Sequence, residues 1–200
     1  LALEIGKSGE PDSFDKGFEV EADTTYRIVT YNIGFGAYLP EFSFFMDGGK
    51  SSWAKDEESV LATVSASGEA VSAIEPDFIF LQEVDRDGTR SYHVDELEVL
   101  NRFIEGYEYH FAQNYDSPYL FFPPWEPHGT NVAGLVTYSK GQMKEAVRRS
   151  LPISESITKF MDLDRCYSIS RIPTVDGSFL CLYNVHLAAY GSSAEVREGQ

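Results

Sequence analysis

Asn32 closes a β-rich segment, Tyr26–Asn32 (YRIVTYN), and Glu83 falls at the end of a continuous apolar run, Asp77–Val84 (DFIFLQEV). Ligand sites in open α/β sheets gather at the carboxyl ends of strands. A carboxylate at the end of a buried strand is costly unless a positive group meets it. A hard divalent cation with oxygen ligands from Glu83 and Asn32 would do so. The same pattern also suits an exposed loop acid that merely follows a core strand.

His186 stands near the end of a third apolar segment, LCLYNVHLAAY, downstream of Asp176-Gly177. Asp-Gly is a strong signal for a two-residue hairpin turn. That turn predicts Tyr167 opposite His186, Ile169 opposite Asn184 and Arg165 opposite Ala188. Cross-strand partners share a face, so Arg165, Tyr167, Asn184 and His186 project together. A cation, an imidazole and an amide on one hairpin suit a phosphate. A core histidine satisfied by the Tyr167 hydroxyl fits the pattern equally well. The register also sets Cys166 and Cys181 too far apart to bridge, so both read as buried thiols with no disulfide partner.

These residues need a scaffold. Val60, Val64, Val71 and Ile74 recur at helical spacing between Asp56 and Ile74, and Glu75-Pro76 ends that helix. Asp95 and Glu98 mark a second helix start, lined by Leu97, Leu100 and Ile104. Tyr107–Asn114, Val132–Tyr138, Lys144–Ser150 and the hairpin read as further strands. Strand, helix, strand, helix and then strands alone is a layered α/β plan with a mixed sheet. The 200 residues suffice for one domain, and 42% hydrophobic content excludes wholesale disorder. No apolar run approaches the ~18 residues of a membrane span. A net charge of −16 disfavours long nucleic acid as a partner. A bound metal ion would reverse that field locally.

The strings YRIVTYNIGFG, PDFIFLQEVD, GLVTYSK and CLYNVHLAAY, in that order, resemble the successive motifs of the endonuclease/exonuclease/phosphatase superfamily, which has the pancreatic-type deoxyribonuclease fold. The resemblance runs from about Thr25 to the end of the chain. It implies part of a four-layer α-β-β-α sandwich with mixed sheets, and a hydrolase of phosphodiester or phosphomonoester bonds by in-line water attack. It implies Glu83 and Asn32 as metal residues for Mg²⁺, with Mn²⁺ as a substitute. It also implies that His186 and Arg165 act on the phosphate, with Asn32 beside metal and phosphate, and that Glu126 (in WEPHGTN) orients the histidine. The family's later Asp-x-Asn and Ser-Asp-His motifs are absent from these 200 residues. The expectation is therefore a chain truncated at its C-terminus, inactive by itself, with the site completed by residues beyond Gln200. A non-catalytic binding or scaffolding module that keeps the fold is the alternative; the sequence beyond Gln200 separates the two.

Residues 1–23, polar and acidic, read as an exposed lead-in to a domain covering 24–200. Ser193 reads as an N-cap for a helix from Ala194 that stops within its first turns. Tyr115–His128 (YDSPYLFFPPWEPH) reads as a proline-stiffened loop that covers the core edge, walls the substrate, or touches a membrane through Tyr115–Trp125, as in bacterial sphingomyelinases. VHLAAYGSSAEVR and DLDRCYSISR resemble uncharacterised bacterial members with an N-terminal membrane anchor, which implies an extracytoplasmic location.

Overall fold

In the computed structural model, which describes residues 3–8, 17–152 and 165–187, the valine spacing becomes helix α1, Glu57–Ser72. Asp56 starts it. Its carboxylate accepts from the Ser59 amide at 2.7 Å, and the Ser59 hydroxyl accepts from the Asp56 amide at 3.1 Å. This reciprocal cap satisfies donors that a helix start leaves unpaired. Helix α2, Glu96–Asn101, is capped by Asp95, whose carboxylate accepts from the Glu98 amide at 3.1 Å.

Strands β1 (Leu3–Lys7), β2 (Ile28–Asn32), β3 (Phe78–Gly88), β4 (Glu108–Asp116) and β5 (Asn131–Ser139) form one sheet in the order β1-β4-β5-β3-β2. Strands β2 and β3 are parallel, joined through α1; the other pairs are antiparallel. Strands β6 (Glu145–Ser150), β7 (Cys166–Pro173) and β8 (Phe179–Val185) form a second, antiparallel sheet.

Alternation along β3 sets the layers. Ile79 and Leu81 pack with Val60, Val64, Leu97 and Leu100 on the helix side. Phe78 packs with Ile172 and Leu182 on the side of the second sheet. Helices, first sheet and second sheet make three layers of an α-β-β-α sandwich. Among the described residues no helix is long and apolar enough to cross a membrane.

Two expectations are corrected. Leu3–Lys7 is no lead-in but an edge strand: it pairs with β4, Lys7 meets Glu108 at 3.7 Å, and Glu4 accepts from Arg86 at 2.7 Å. Five residues were too few to show a period, and the pairing is long-range. The β7–β8 hairpin is also slipped by one residue. Gly177 N–H donates to Thr174 C=O at 2.9 Å and Thr174 N–H donates to Ser178 C=O at 3.0 Å, which closes a three-residue loop. Of the loop residues only Gly177 has positive φ, +83°, whereas the two-residue type I′ turn needs it at both centres. Asp176 decides this by accepting from the Thr174 hydroxyl at 2.5 Å and the Ser178 amide at 3.0 Å.

A one-residue slip changes every cross-strand pair. Tyr167 pairs with Val185, and Ser168 with Asn184. Tyr167 therefore lies on the opposite face from Asn184, against Tyr183. Cys166 is buried, but Cys181 is exposed, opposite Arg171. Ala188 and the expected helix from Ala194 fall outside the described residues.

Candidate active site

Glu83 reaches the surface through a bulge. In unbroken alternation it would follow Ile79 and Leu81 into the helix-side core. Instead the β3–β5 register shifts between Leu81 and Val84, and Val84 takes that core position. Glu83 is the extra residue, with φ +56°, a conformation uncommon outside glycine and enriched at functional sites.

Asn32, at the end of neighbouring β2, donates from Nδ2 to Glu83 Oε1 at 2.9 Å. Its Oδ1 accepts from the Gly34 amide at 3.0 Å. As placed, Asn32 orients the carboxylate rather than offering a metal a free oxygen, which departs from the ligand role the resemblance implied.

His186 comes from the other sheet. Its Nε2 lies 3.4 Å from Glu83 Oε1, and its Nδ1 is buried without a hydrogen-bond partner among the described residues. Burial lowers the imidazole pKa, and the nearby Arg165 and Arg90 charges lower it further against the pull of Glu83. Arg165 is therefore near enough for its charge to act on the imidazole. Asn184, two residues earlier, does not face a ligand. It is 1% exposed, and its Nδ2 donates to Val136 C=O at 2.9 Å while its Oδ1 accepts from Gln82 Nε2 at 2.8 Å. This clip joins β8 to β3 and β5, and so sets His186 beside Glu83.

Behind Glu83 lies a buried cluster that the sequence did not reveal. Arg90 grips Asp85 with two hydrogen bonds, of 3.0 and 2.7 Å, and Ser91 donates to Asp85 at 2.8 Å. The Arg90 guanidinium lies 3.9 Å from the centre of the Phe35 ring. Burial opposes its charge, but Asp85 outweighs burial and the net pKa shift is upward. Glu96, also buried, accepts from the Asp85 amide at 2.8 Å. Burial pushes its carboxyl well above the usual range, and the Asp85 charge adds to the shift.

Glu126 does not orient His186. Its Oε2 accepts from the Ser52 and Trp53 amides at 2.6 and 3.3 Å, tying the loop after β4 to the segment before α1. Two unpaired loop amides capture this carboxylate. His128, in the same loop, meets the Ser52 hydroxyl at 3.0 Å, and burial, with Arg90, pushes its pKa down to about 3. The rings of this loop are split: Tyr115 is buried, whereas Phe121 is 79% and Trp125 67% exposed.

Beside Glu83 opens a cleft of about 360 Å³, lined by Tyr31, Asn32, Ile33, Gly34, Tyr38, Thr63 and Glu83. Among the described residues no three His, Cys, Asp or Glu gather as a metal cage. One carboxylate still fits Mg²⁺, which keeps several waters and is commonly held by one or two carboxylates plus substrate phosphate. The hydrogen bond from Asn32 and the ion pair with His186 both engage Glu83 Oε1, which leaves Oε2 for a cation.

No family model and no curated protein matches this sequence. Among solved structures the chain is similar to an endonuclease/exonuclease/phosphatase from Beutenbergia cavernae DSM 12333, at 18% identity and TM-score 0.57, over 88% of this chain and 42% of that one. It is also similar to an endonuclease/exonuclease/phosphatase family protein from Leptotrichia buccalis C-1013-b, at 15% identity and TM-score 0.52, over 87% of this chain and 60% of that one. A third is ANGEL2, a 2',3'-cyclic phosphatase, in complex with adenosine-2',3'-vanadate, at 11% identity and TM-score 0.50, over 95% of this chain and 45% of that one. The chain thus spans 42% and 60% of the length of the first two. A mixed five-stranded sheet and an antiparallel three-stranded sheet under one layer of helices, with these structural neighbours, identify the chain's fold as that of the endonuclease/exonuclease/phosphatase family.

Proposed function

We propose that this chain carries part of the active site of a metal-dependent phosphodiesterase or phosphatase. The observation that carries the reading is the convergence on Glu83: a strained bulge presents its carboxylate, Asn32 and His186 both approach Oε1, and the Arg165 charge acts on the imidazole. Glu83 would hold Mg²⁺ or Mn²⁺, which when bound neutralises phosphate oxygens and lowers the pKa of water. Asn32 fixes the carboxylate. Arg165 attracts the phosphate, and His186 donates an N–H to a phosphate oxygen, where charge builds during attack. Residues beyond this chain complete the site in this reading.

Titration of Mn²⁺ into the whole protein and its Glu83→Gln variant tests the assignment. The variant should lose at least about tenfold in affinity, because the amide removes the charge that binds a hard cation. Equal affinity and equal activity would remove Glu83 from the metal site.

Membrane contact is part of the proposal. Ser117–Trp125 holds no charged residue, and Tyr119, Phe121, Phe122 and Trp125 are all exposed. Aromatic rings of this kind settle at lipid interfaces. Sedimentation with phosphatidylcholine vesicles should fall on Phe121→Ser/Trp125→Ser substitution; unchanged sedimentation would discard the contact.

A further inference from the structure

Glu83 has two surroundings: its Oε1 meets His186 Nε2 at 3.4 Å, and the same residue lines, with Tyr31 and Tyr38, a cleft whose described lining does not include His186. We infer that this cleft receives the uncharged, flat-ringed alcohol half of a phosphate ester whose phosphate lies by His186 and Arg165. The inference rests on the phosphate-ester reading above and narrows its substrate class.

Charge argues first. Among the described residues no Lys or Arg lines the cleft, and its one charged wall is Glu83. Beyond the metal ion proposed on Glu83, which the reacting phosphate takes up, a second phosphate there would meet no cation among the described residues, in a chain of net charge −16. That disfavours polyphosphorylated esters and polynucleotides, whose every residue brings another phosphate.

Shape argues second. Tyr31 is 44% and Tyr38 50% exposed, so each offers ring surface to a ligand. The Tyr38 ring is held rigidly, packing edge-on against Phe35 and Phe42 with centroids 5.7 and 4.9 Å apart. It also lies against Gly34, where a Cβ would sit 2.4 Å from Tyr38 Cδ2 and where φ is +58°. Only glycine allows both the backbone turn and the ring over it. A preorganised ring loses little freedom on binding. The Thr63 hydroxyl adds a polar contact for a neutral ligand. A nucleobase and a sugar ring share this chemistry of a flat, uncharged face.

The test uses phosphonates in which methylene replaces the ester oxygen, so that nothing is hydrolysed. Analogues of adenosine 5'-monophosphate and of glucose 6-phosphate, bare methylphosphonate, and inositol hexakisphosphate are titrated calorimetrically into the whole protein with Mg²⁺. At least one ring analogue should bind about 5- to 150-fold tighter than methylphosphonate and lose that margin in Tyr38→Ala, the span that base–aromatic stacking gives. Methylphosphonate binding should survive Tyr38→Ala, which shows that the variant is folded, and fall in His186→Ala. The better analogue tells base from sugar. Inositol hexakisphosphate binding more tightly than both ring analogues would overturn the inference. So would ring analogues that gain nothing over methylphosphonate while His186→Ala still weakens the latter; in that outcome the phosphate reading stands and only the cleft assignment falls. Methylphosphonate binding that ignores His186→Ala would remove the phosphate reading itself, and the cleft inference with it.

Discussion

Replacing His186 with alanine in the whole protein should cut turnover by about 10²-fold or more, the usual scale for a group that assists proton or charge transfer in the transition state. Metal affinity should stay near that of the wild type. The geometry separates the two effects. His186 Nε2 stands 3.4 Å from Glu83 Oε1, too long for a strong hydrogen bond, whereas Asn32 holds the same oxygen at 2.9 Å. Removing the imidazole therefore takes away a donor to the phosphate and leaves the carboxylate in place. The test pairs kcat on bis-p-nitrophenyl phosphate with Mn²⁺ titration. A variant that loses metal binding in proportion to activity would assign His186 to the metal instead. Glu126→Gln in the same assay should leave kcat nearly unchanged, because Glu126 serves the Ser52 and Trp53 amides and not the imidazole.

The largest stability effect should come from Asp85→Ala. Asp85 is fully buried and Arg90 is 5% exposed, so the substitution strands a cation in the core. Breaking a buried pair from one side typically costs about 3–5 kcal/mol. For a chain of this size that lowers the melting temperature by about 6–20 °C. Arg90→Lys should recover little compared with the native pair, because lysine has neither the two-pronged grip on Asp85 nor the flat face that covers Phe35. Replacing both partners with apolar residues of similar volume should be milder than Asp85→Ala alone. Thermal unfolding followed by circular dichroism checks all three, and an Asp85→Ala variant melting within about 2 °C of the wild type would contradict the assignment. The cluster also bears on the site: Asp85 lies two residues beyond Glu83 on the bulged strand, and Glu96 accepts from its amide.

The sequence alone determined the features that depend on near neighbours. Helical spacing of valines marks α1, because one apolar face is a local property. The run DFIFLQEV marks a strand buried on both faces, and the ordered motifs brought Asn32, Glu83, Arg165 and His186 forward as one set. Only the tertiary structure decided how these residues meet. The bulge that turns Glu83 out of the core depends on a register with β5, about fifty residues later in the chain. The hairpin slip turned on the Asp176 side chain bonding its own loop, which favours one positive φ over two. That slip moved Tyr167 to the outer face and left Asn184 inside, where it clips the two sheets together. Glu126 was read as a partner for His186 because sequence order cannot show which amides lack acceptors; two lay in the segment before α1 and took it. Apart from the Asp176 loop, which is local, these outcomes rest on pairing between distant segments, where burial makes an unsatisfied polar group too costly to leave alone.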